Sequence, residues 1–285
     1  MYEKAIVSFV DILGFRDLVE NSTPEAIKSV LDLVNRFAVP EIDDDDDLDF
    51  SFAAESISFS DSIVRVRRIE KEINLQYPAG LVFYETIDLL HAQGELLNQG
   101  ILIRGGIAYG DIYFDKNRIY GPALNHAYEL ESKYAIYPRI VLSPDLIKEA
   151  KSNKLLKSES HTYEEELNYI ARLIKQGDEG LWFIDYIRAM EGELDDPAMF
   201  PDYLLKHKEI ICEGAKNFQK MNSTLSKYLW MAKYHNDLIS KLSAKLFSFY
   251  GMKRKTFEIS SQEMGLLQNL KPNKANSARR KKPRG

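Results

Sequence analysis

The sequence predicts an α+β fold, in which helices pack on one face of a largely antiparallel sheet. Apolar, β-branched runs such as 5–11 and 101–107 have the character of buried strands. Runs with apolar residues three or four positions apart lie between them and indicate helices. The predicted order is strand, helix, strand, strand, helix, strand, strand, helix, strand. This mixture of hairpins and crossovers is typical of the α+β class.

The first helix is marked by its start and its end. Residues 22–25 (STPE) form a capping-box pattern with proline at the first turn, and Pro40 ends the helix. Gly14 allows a tight turn between the first strand and this helix. Five consecutive acids at 43–47 repel one another, so we interpret them as a solvated loop rather than a cation site.

The middle of the chain predicts a hairpin, a long helix and two more strands. Residues 50–67 contain two apolar runs with a polar break at 58–62, which places Asp61 at or near a hairpin turn. A helical pattern over 81–98 is closed by a glycine, Gly100. After the strand at 101–107, Gly110 is predicted to turn the chain towards a further strand.

The remaining elements complete the domain division. A helix is predicted over 121–134, short strands over 139–142 and 180–186, and a helical pattern from 201 to 246. We therefore expect a main domain at 1–190, a C-terminal helical appendage at 191–266 and a basic disordered tail at 267–285.

Composition narrows the class of protein. The 285 residues are 45% hydrophobic and 28% charged, as in a globular protein, and carry a net charge of −5. The single cysteine, Cys212, excludes an intramolecular disulfide framework, and the N-terminus lacks a signal-peptide pattern; both favour a cytoplasmic setting. The basic tail could contact nucleic acid or anionic lipid, but a solvated end is the simpler interpretation, so we expect neither partner.

Two aspartates at strand ends are the first candidates for chemistry. Asp11 ends the first strand, and Asp61 lies between the two hairpin strands. Taken singly, each is a plausible turn or cap residue. Taken together, they would converge at one end of the sheet if the first strand and the hairpin are neighbours. Two close carboxylates repel unless a divalent cation lies between them, and two such ions form the clamp of phosphoryl chemistry.

Two further segments can approach a phosphate or a ribose. The segment 105–111 (GGIAYGD) contains three glycines, which permit close approach of a backbone. The segment 120–131 (YGPALNHAYELE) places Gly-Pro before a helix start, where phosphate or ribose could dock. Asn125 in its first turn could bond a ligand or merely cap the turn.

These residues resemble the motifs of class III adenylate and guanylate cyclases. Residues 9–15 (FVDILGF), 58–64 (SFSDSIV), 103–112 (IRGGIAYGDI) and 120–131 are similar to four family motifs in the family order. The finer pattern, with YPRIVLS and KYLWMAKYHN, resembles the pyrimidine cyclases of the bacterial Pycsar antiphage system. That subgroup makes cyclic UMP or cyclic CMP, which activates a separate effector.

The resemblance implies a role for each matching residue. Asp11 and Asp61, with the Ile12 carbonyl, would bind two Mg²⁺ or Mn²⁺ ions, and Gly14 and Phe15 would lie under the triphosphate. The ribose 3′ oxygen would attack the α-phosphorus and expel pyrophosphate. Family members form head-to-tail homodimers with sites at the interface, so Asn125 would orient the ribose at the partner's metals.

The chain departs from the purine cyclases at three places. Glu129 stands where they have a transition-state arginine, and an acid would repel phosphate. Arg139 and Lys175 are the candidates for a replacing base. Ile57 stands at one purine-reading position, beside Ser58, and the second position falls near Arg118. We therefore expect Ile57, Ser58 and Arg118 to surround a base other than a purine. UTP is favoured over CTP only by the frequency of uridylate cyclases in the subgroup.

Two alternatives stay open from the sequence. Glu129 favours a non-catalytic cyclase-fold module that binds a nucleotide or a partner and signals by conformation. An ordinary purine cyclase is a further possibility, which Ile57 disfavours because it cannot hydrogen-bond a purine base.

Overall fold

The computed structural model describes residues 1–38, 54–69, 78–115 and 117–266, and these residues build one sheet. The strand order is β2-β3-β1-β4-β6-β8-β7, with β5 paired to β4 beside this path. All pairings are antiparallel except that between β4 and β6. The strands are β1 (Glu3–Ile12), β2 (Glu55–Phe59), β3 (Ser62–Arg68), β4 (Ile103–Asp115), β5 (Arg118–Tyr120), β6 (Ile140–Leu142), β7 (Ile174–Gln176) and β8 (Trp182–Ile184). The predicted α+β class with a mostly antiparallel sheet is confirmed.

The long helix predicted in the middle of the chain is present in the structure. The helix predicted at 81–98 is present with the same bounds, and Gly100 closes it with a φ of 79°. The helices are α1 (Phe15–Asn21), α2 (Pro24–Ala38), α3 (Leu81–Asn98), α4 (Pro122–Glu129), α5 (Pro144–Ala150), α6 (Tyr163–Leu173), α7 (Phe200–Asn217), α8 (Asn222–Lys241), α9 (Ala244–Phe249) and α10 (Arg254–Phe257). Among the described residues, no helix is long and apolar enough to cross a bilayer. The acidic run at 43–47 and the basic tail lie outside the described residues.

The turn predicted at Gly110 is wrong. β4 runs without interruption through Gly110, which pairs with Ala5 of β1. Gly110 instead faces α4, because a Cβ atom there would lie 3.4 Å from the Cβ of Ala123. The glycine therefore keeps a helix close to the sheet rather than bending the strand.

Helices cover both faces of the sheet, whereas the sequence predicted one. On the first face, α4 crosses β4 at Gly106, where an added Cβ would lie 2.4 Å from the carbonyl oxygen of Ala127. On the second face, the buried Ser8 hydroxyl donates to Glu85 of α3. Gly106 pairs with Phe9, and successive residues of a strand point to opposite faces, so Gly106 and Ser8 lie on different faces.

That second layer is anchored by buried ion pairs. Glu85 is 1% exposed and accepts hydrogen bonds from Arg65 and Arg67 of β3. Both arginines also contact Asp88. The two guanidinium groups hold the pKa of Glu85 down to about 2, against the effect of its burial.

The C-terminal helices pack directly on the end of the sheet. The Tyr203 hydroxyl of α7 donates to the carbonyl of Tyr186, just after β8, and the Tyr186 hydroxyl contacts His207 Nε2 at 3.1 Å. His207 Nδ1 lies 3.0 Å from His235 Nδ1, and His235 Nε2 lies 2.9 Å from the Phe257 carbonyl. One set of neutral tautomers satisfies every contact: His235 donates to the carbonyl, His207 donates to His235, and the tyrosine donates to His207. The predicted division into a domain at 1–190 and an appendage at 191–266 stays a prediction.

Candidate active site

The β2–β3 hairpin carries Asp61 to the side of Asp11. Ser60 and Asp61 form the turn between the paired residues Phe59 and Ser62, and Ser60 adopts a φ of 56°. Ser62 in turn pairs with Asp11 across β1 and β3. The Ile12 amide donates to the Asp61 carbonyl at 3.3 Å. The strand register thus brings together the two carboxylates that the sequence predicted to converge.

Asp11 occupies an electrostatically unfavourable position. Burial and the negative charge of Asp61 raise the pKa of the Asp11 carboxyl, and Arg104 opposes both effects. Arg104 Nη2 lies 3.1 Å from Asp11 Oδ2, and the Ser62 hydroxyl donates to Asp11 Oδ1 at 3.2 Å. Asp11 is therefore held in one orientation beside a second carboxylate.

Arg104 and Glu131 extend this cluster, and the sequence reasoning missed both. Arg104 pairs with Asp11 across β1 and β4, and its Nη2 also lies 2.7 Å from Glu131 Oε1. Glu131 is buried, in a π-helical turn (Leu130–Tyr134) that continues α4. Burial raises the pKa of Glu131, and Arg104 opposes that effect. Both residues lie within the segments 103–112 and 120–131, which resemble family motifs. The resemblance assigned no role to either residue.

A fifth charge comes from the C-terminal helices. Lys227 of α8 interacts electrostatically with Arg104, Asp11 and Glu131. Burial and the nearby Arg104 lower the pKa of Lys227, and the two carboxylates oppose that effect. The site therefore combines side chains from the sheet, the hairpin and α8.

A cavity of about 330 Å³ opens beside the turn that follows β1. It is lined by the segment from Ile12 to Gly14 and by residues of α7 and α8, including Lys227 and Tyr228. Gly14 caps α1 in the left-handed region, with a φ of 85°, and no atom lies within 4 Å of where its Cβ would be. This volume is in the range of small-ligand pockets.

The carboxylate pair has the ligand chemistry of a divalent-ion site but does not make a complete site by itself. Among the residues that the structure describes, no group of three or more His, Cys, Asp or Glu side chains is arranged to hold a metal on its own. Mg²⁺ is commonly bound by one or two carboxylates together with substrate phosphates. The unfavourable pairing of Asp11 with Asp61 is what such an ion would relieve. Asp11, Asp61 and the Ile12 carbonyl form a suitable donor set.

Asn125 and Glu129 lie away from this cluster. Asn125 is exposed on α4, whereas Ala123 and Ala127 on the opposite side of the helix are buried. Glu129 forms an ion pair with Lys133 at 2.7 Å, one turn further on. Within one chain, α4 therefore presents Asn125 to the outside, and its role stays a prediction.

Arg139 and Lys175 lie together in a second, smaller cavity, which also contains Trp230. The Arg139 guanidinium is 2% exposed, forms an ion pair with Glu179 and lies over the rings of three aromatic residues. Lys175 Nζ lies 4.9 Å from the centre of the Tyr234 ring. The structure does not bring these two cations into the Asp11 cluster, and Arg104 and Lys227 are the cations there.

The three residues predicted to surround the base are spread along the sheet. Ile57 is half-buried on β2, and the exposed Ser58 beside it hydrogen-bonds Asn35. Arg118 pairs with Asp115 at the far end of β4 from Arg104, roughly 35 Å away at about 3.3 Å per residue. Phe15 is half-buried at the start of α1 and packs against the core.

No protein-family profile and no curated protein matches the chain. It is similar in structure to a bacterial light-regulated adenylyl cyclase, at 16% identity over 52% of this chain and 45% of that one, with a TM-score of 0.37. The catalytic core of a rhodopsin-guanylyl cyclase of converted specificity, in complex with ATPαS, matches at 15% identity over 53% and 82%, with a TM-score of 0.36. A class III adenylyl cyclase-like ATP-binding protein from Pseudomonas aeruginosa matches at 11% identity over 59% and 40%, also with a TM-score of 0.36.

Proposed function

We propose that this chain is a pyrimidine nucleotide cyclase, which converts UTP or CTP to a 3′,5′-cyclic nucleotide and pyrophosphate. One observation carries the proposal: the strand register sets the Asp61 turn beside Asp11, where the pKa of Asp11 is raised by burial and by Asp61. A nearby Gly14 turn and a cavity provide room for a phosphate chain. The motif resemblance supports the cyclisation chemistry.

In the proposed reaction, the side chains position the charges. Asp11, Asp61 and the Ile12 carbonyl would hold two Mg²⁺ or Mn²⁺ ions, which lower the pKa of the ribose 3′ hydroxyl and neutralise the leaving phosphates. Arg104 and Ser62 fix the orientation of the Asp11 carboxylate. The 3′ hydroxyl would lose its proton to water, its oxygen would bond to the α-phosphorus, and the bond from that phosphorus to the oxygen bridging to the β-phosphate would break, so that pyrophosphate leaves.

The outward position of Asn125 supports a homodimer with sites at the interface. An exposed amide on α4 is free to reach a ribose bound at the metals of a second copy. The half-buried Ile57 supports a base other than a purine, since an alkyl side chain offers no hydrogen bond. We assign Ile57 and Ser58 to the surroundings of the base, which Arg118, roughly 35 Å along β4 from Arg104, would join only from a second copy. The cyclic product would act on a separate effector in antiphage defence, which rests on the subgroup resemblance alone.

A second candidate is a nucleotide-binding module without turnover. The ion pair of Glu129 with Lys133 favours it, because this part of α4 then presents no unpaired cation to a phosphate. Such a module would bind the triphosphate tightly and release no pyrophosphate.

The test is incubation with each of the four ribonucleoside triphosphates and Mn²⁺, followed by chromatography for cyclic product and an assay for pyrophosphate. We expect product from UTP or CTP, and its complete loss in Asp61→Ala. Asp32→Ala is the matched control, because Asp32 is an exposed α2 residue paired only with Lys28 among the described residues. Binding without pyrophosphate in the wild type would favour the module, and full activity in Asp61→Ala would refute the metal assignment.

A further inference from the structure

Lys227 is a site cation that belongs to the C-terminal helices rather than to the four motifs. It lies on α8 and lines the 330 Å³ cavity together with Ile12, Gly14 and Tyr228. Its side chain is half-buried. An element outside the four motifs thus delivers a positive charge near the turn that follows Asp11.

The local anions do not account for this cation. Asp11 and Glu131 are already bridged by Arg104, whose Nη2 lies 3.1 and 2.7 Å from their carboxylate oxygens. Lys227 forms no ion pair within 4 Å in the part of the chain that the structure describes, although it interacts with both acids at longer range. Its ammonium group has three donors, and these remain available to an anion in the cavity.

The position of Lys227 matches the place where a phosphate chain needs charge. Lys227 lines the same cavity as the segment from Ile12 to Gly14. Because Ile12 directly follows Asp11, a polyphosphate held by metals at Asp11 and Asp61 would lie near this cavity. Glu129 cannot neutralise them, and Lys133 already pairs with Glu129. A lysine is a common point-charge ligand of phosphate.

We propose that Lys227 binds the β- and γ-phosphates of the nucleoside triphosphate, so that α8 supplies in cis a cation that the motif helix does not. This inference rests on the proposed function, because it places the substrate's phosphates at the Asp11–Asp61 pair. It makes the C-terminal helices part of the binding site: substrate would hold α8 against the turn after β1.

The experiment measures binding rather than turnover. The probes are 3′-deoxy-UTP and 3′-deoxy-CTP, which cannot cyclise, with UMP and CMP as ligands that lack the β- and γ-phosphates, all titrated calorimetrically with Mn²⁺. We expect Lys227→Met to weaken triphosphate binding at least ten-fold and monophosphate binding less than two-fold. Lys227→Arg should recover most of the affinity, because it retains the charge.

The control is Lys241→Met, an exposed lysine in the last turn of the same helix. It should leave every affinity unchanged. Lys227→Gln replaces Lys227→Met if the latter does not reach the wild-type melting temperature. Equal losses for triphosphate and monophosphate would mean a structural role and overturn the inference, as would unchanged triphosphate affinity or a wild type that binds neither triphosphate.

The outcomes also separate this inference from the proposed function. Lys227-dependent triphosphate binding in a chain that makes no cyclic product would uphold the inference and refute the cyclase. Cyclic product formed by Lys227→Met with unchanged KM and kcat would refute the inference and uphold the cyclase.

Discussion

Gly106 of β4 sets the distance between the sheet and α4, so Gly106→Ala should damage both stability and activity. An added Cβ would lie 2.4 Å from the Ala127 carbonyl oxygen and 2.5 Å from the Leu130 Cβ. Ordinary contact begins at 3.4 Å, so α4 must move by about 1 Å. Overpacking of this kind costs about 1–3 kcal/mol of unfolding free energy.

The same displacement reaches the site. The π turn after α4 carries Glu131, which Arg104 links to Asp11. A misplacement of about 1 Å can cost on the order of a hundred-fold in rate. We therefore expect nucleotide turnover to fall by about that factor, while the affinity for Mn²⁺ alone changes little.

Gly110→Ala is the matched control for this prediction. Gly110 lies on the same strand and face, but its added Cβ would meet Ala123 at 3.4 Å, which is ordinary contact. Neither glycine has a positive φ, so backbone conformation does not distinguish them. Urea unfolding should show Gly110→Ala at or slightly above wild-type stability. Equal stabilities and equal rates for the two variants would refute the reasoning.

Two further predictions concern buried charge. Glu85→Gln should lower the unfolding free energy by about 3–5 kcal/mol, because it breaks ion pairs with Arg65 and Arg67 that are buried from water. Glu3→Gln, at an exposed pair with Arg68, should cost less than about 1 kcal/mol in the same urea titration, and equal costs would contradict the prediction. Stability should also fall as the pH drops below about 6.5, because burial lowers the pKa of His235 to about 4 and the unfolded chain is protonated first. The full contribution of His235, present above pH 6.5, is about 3 kcal/mol and is lost as the pH approaches 4. A His207→Phe, His235→Leu variant should lose this part of the pH dependence in urea unfolding between pH 7.5 and 5, and an unchanged slope would count against it.

The strong local patterns predicted the fold well. The 81–98 helix, the hairpin with Asp61 in its turn and the β1 strand are all present, because each depends on apolar spacing and turn residues close in sequence. The short helices α1, α5 and α6 were not predicted. The prediction of a turn at Gly110 was wrong. The glycine instead faces α4, which packs close to it, and the sequence of β4 does not show that contact.

The sequence predicted only some of the residues in the candidate site. Asp11 and Asp61 could be recognised because each ends an apolar strand. Arg104 and Glu131 meet only through the β1–β4 register and a π turn, and Lys227 reaches the site only through the packing of α8 on the sheet. No local pattern encodes these three contacts. Arg139 and Lys175 were chosen by position in the chain, and the structure sets them beside Trp230 instead.

The central claim is that Asp11 and Asp61 together bind metal with the triphosphate of the substrate. Electron paramagnetic resonance can count the Mn²⁺ ions bound in the presence of 3′-deoxy-UTP, or 3′-deoxy-CTP if that binds better. We expect two Mn²⁺ ions per bound triphosphate in the wild type and loss of bound Mn²⁺ in Asp61→Ala, with Asp32→Ala unchanged. The same Mn²⁺ count in the wild type and in Asp61→Ala would contradict it.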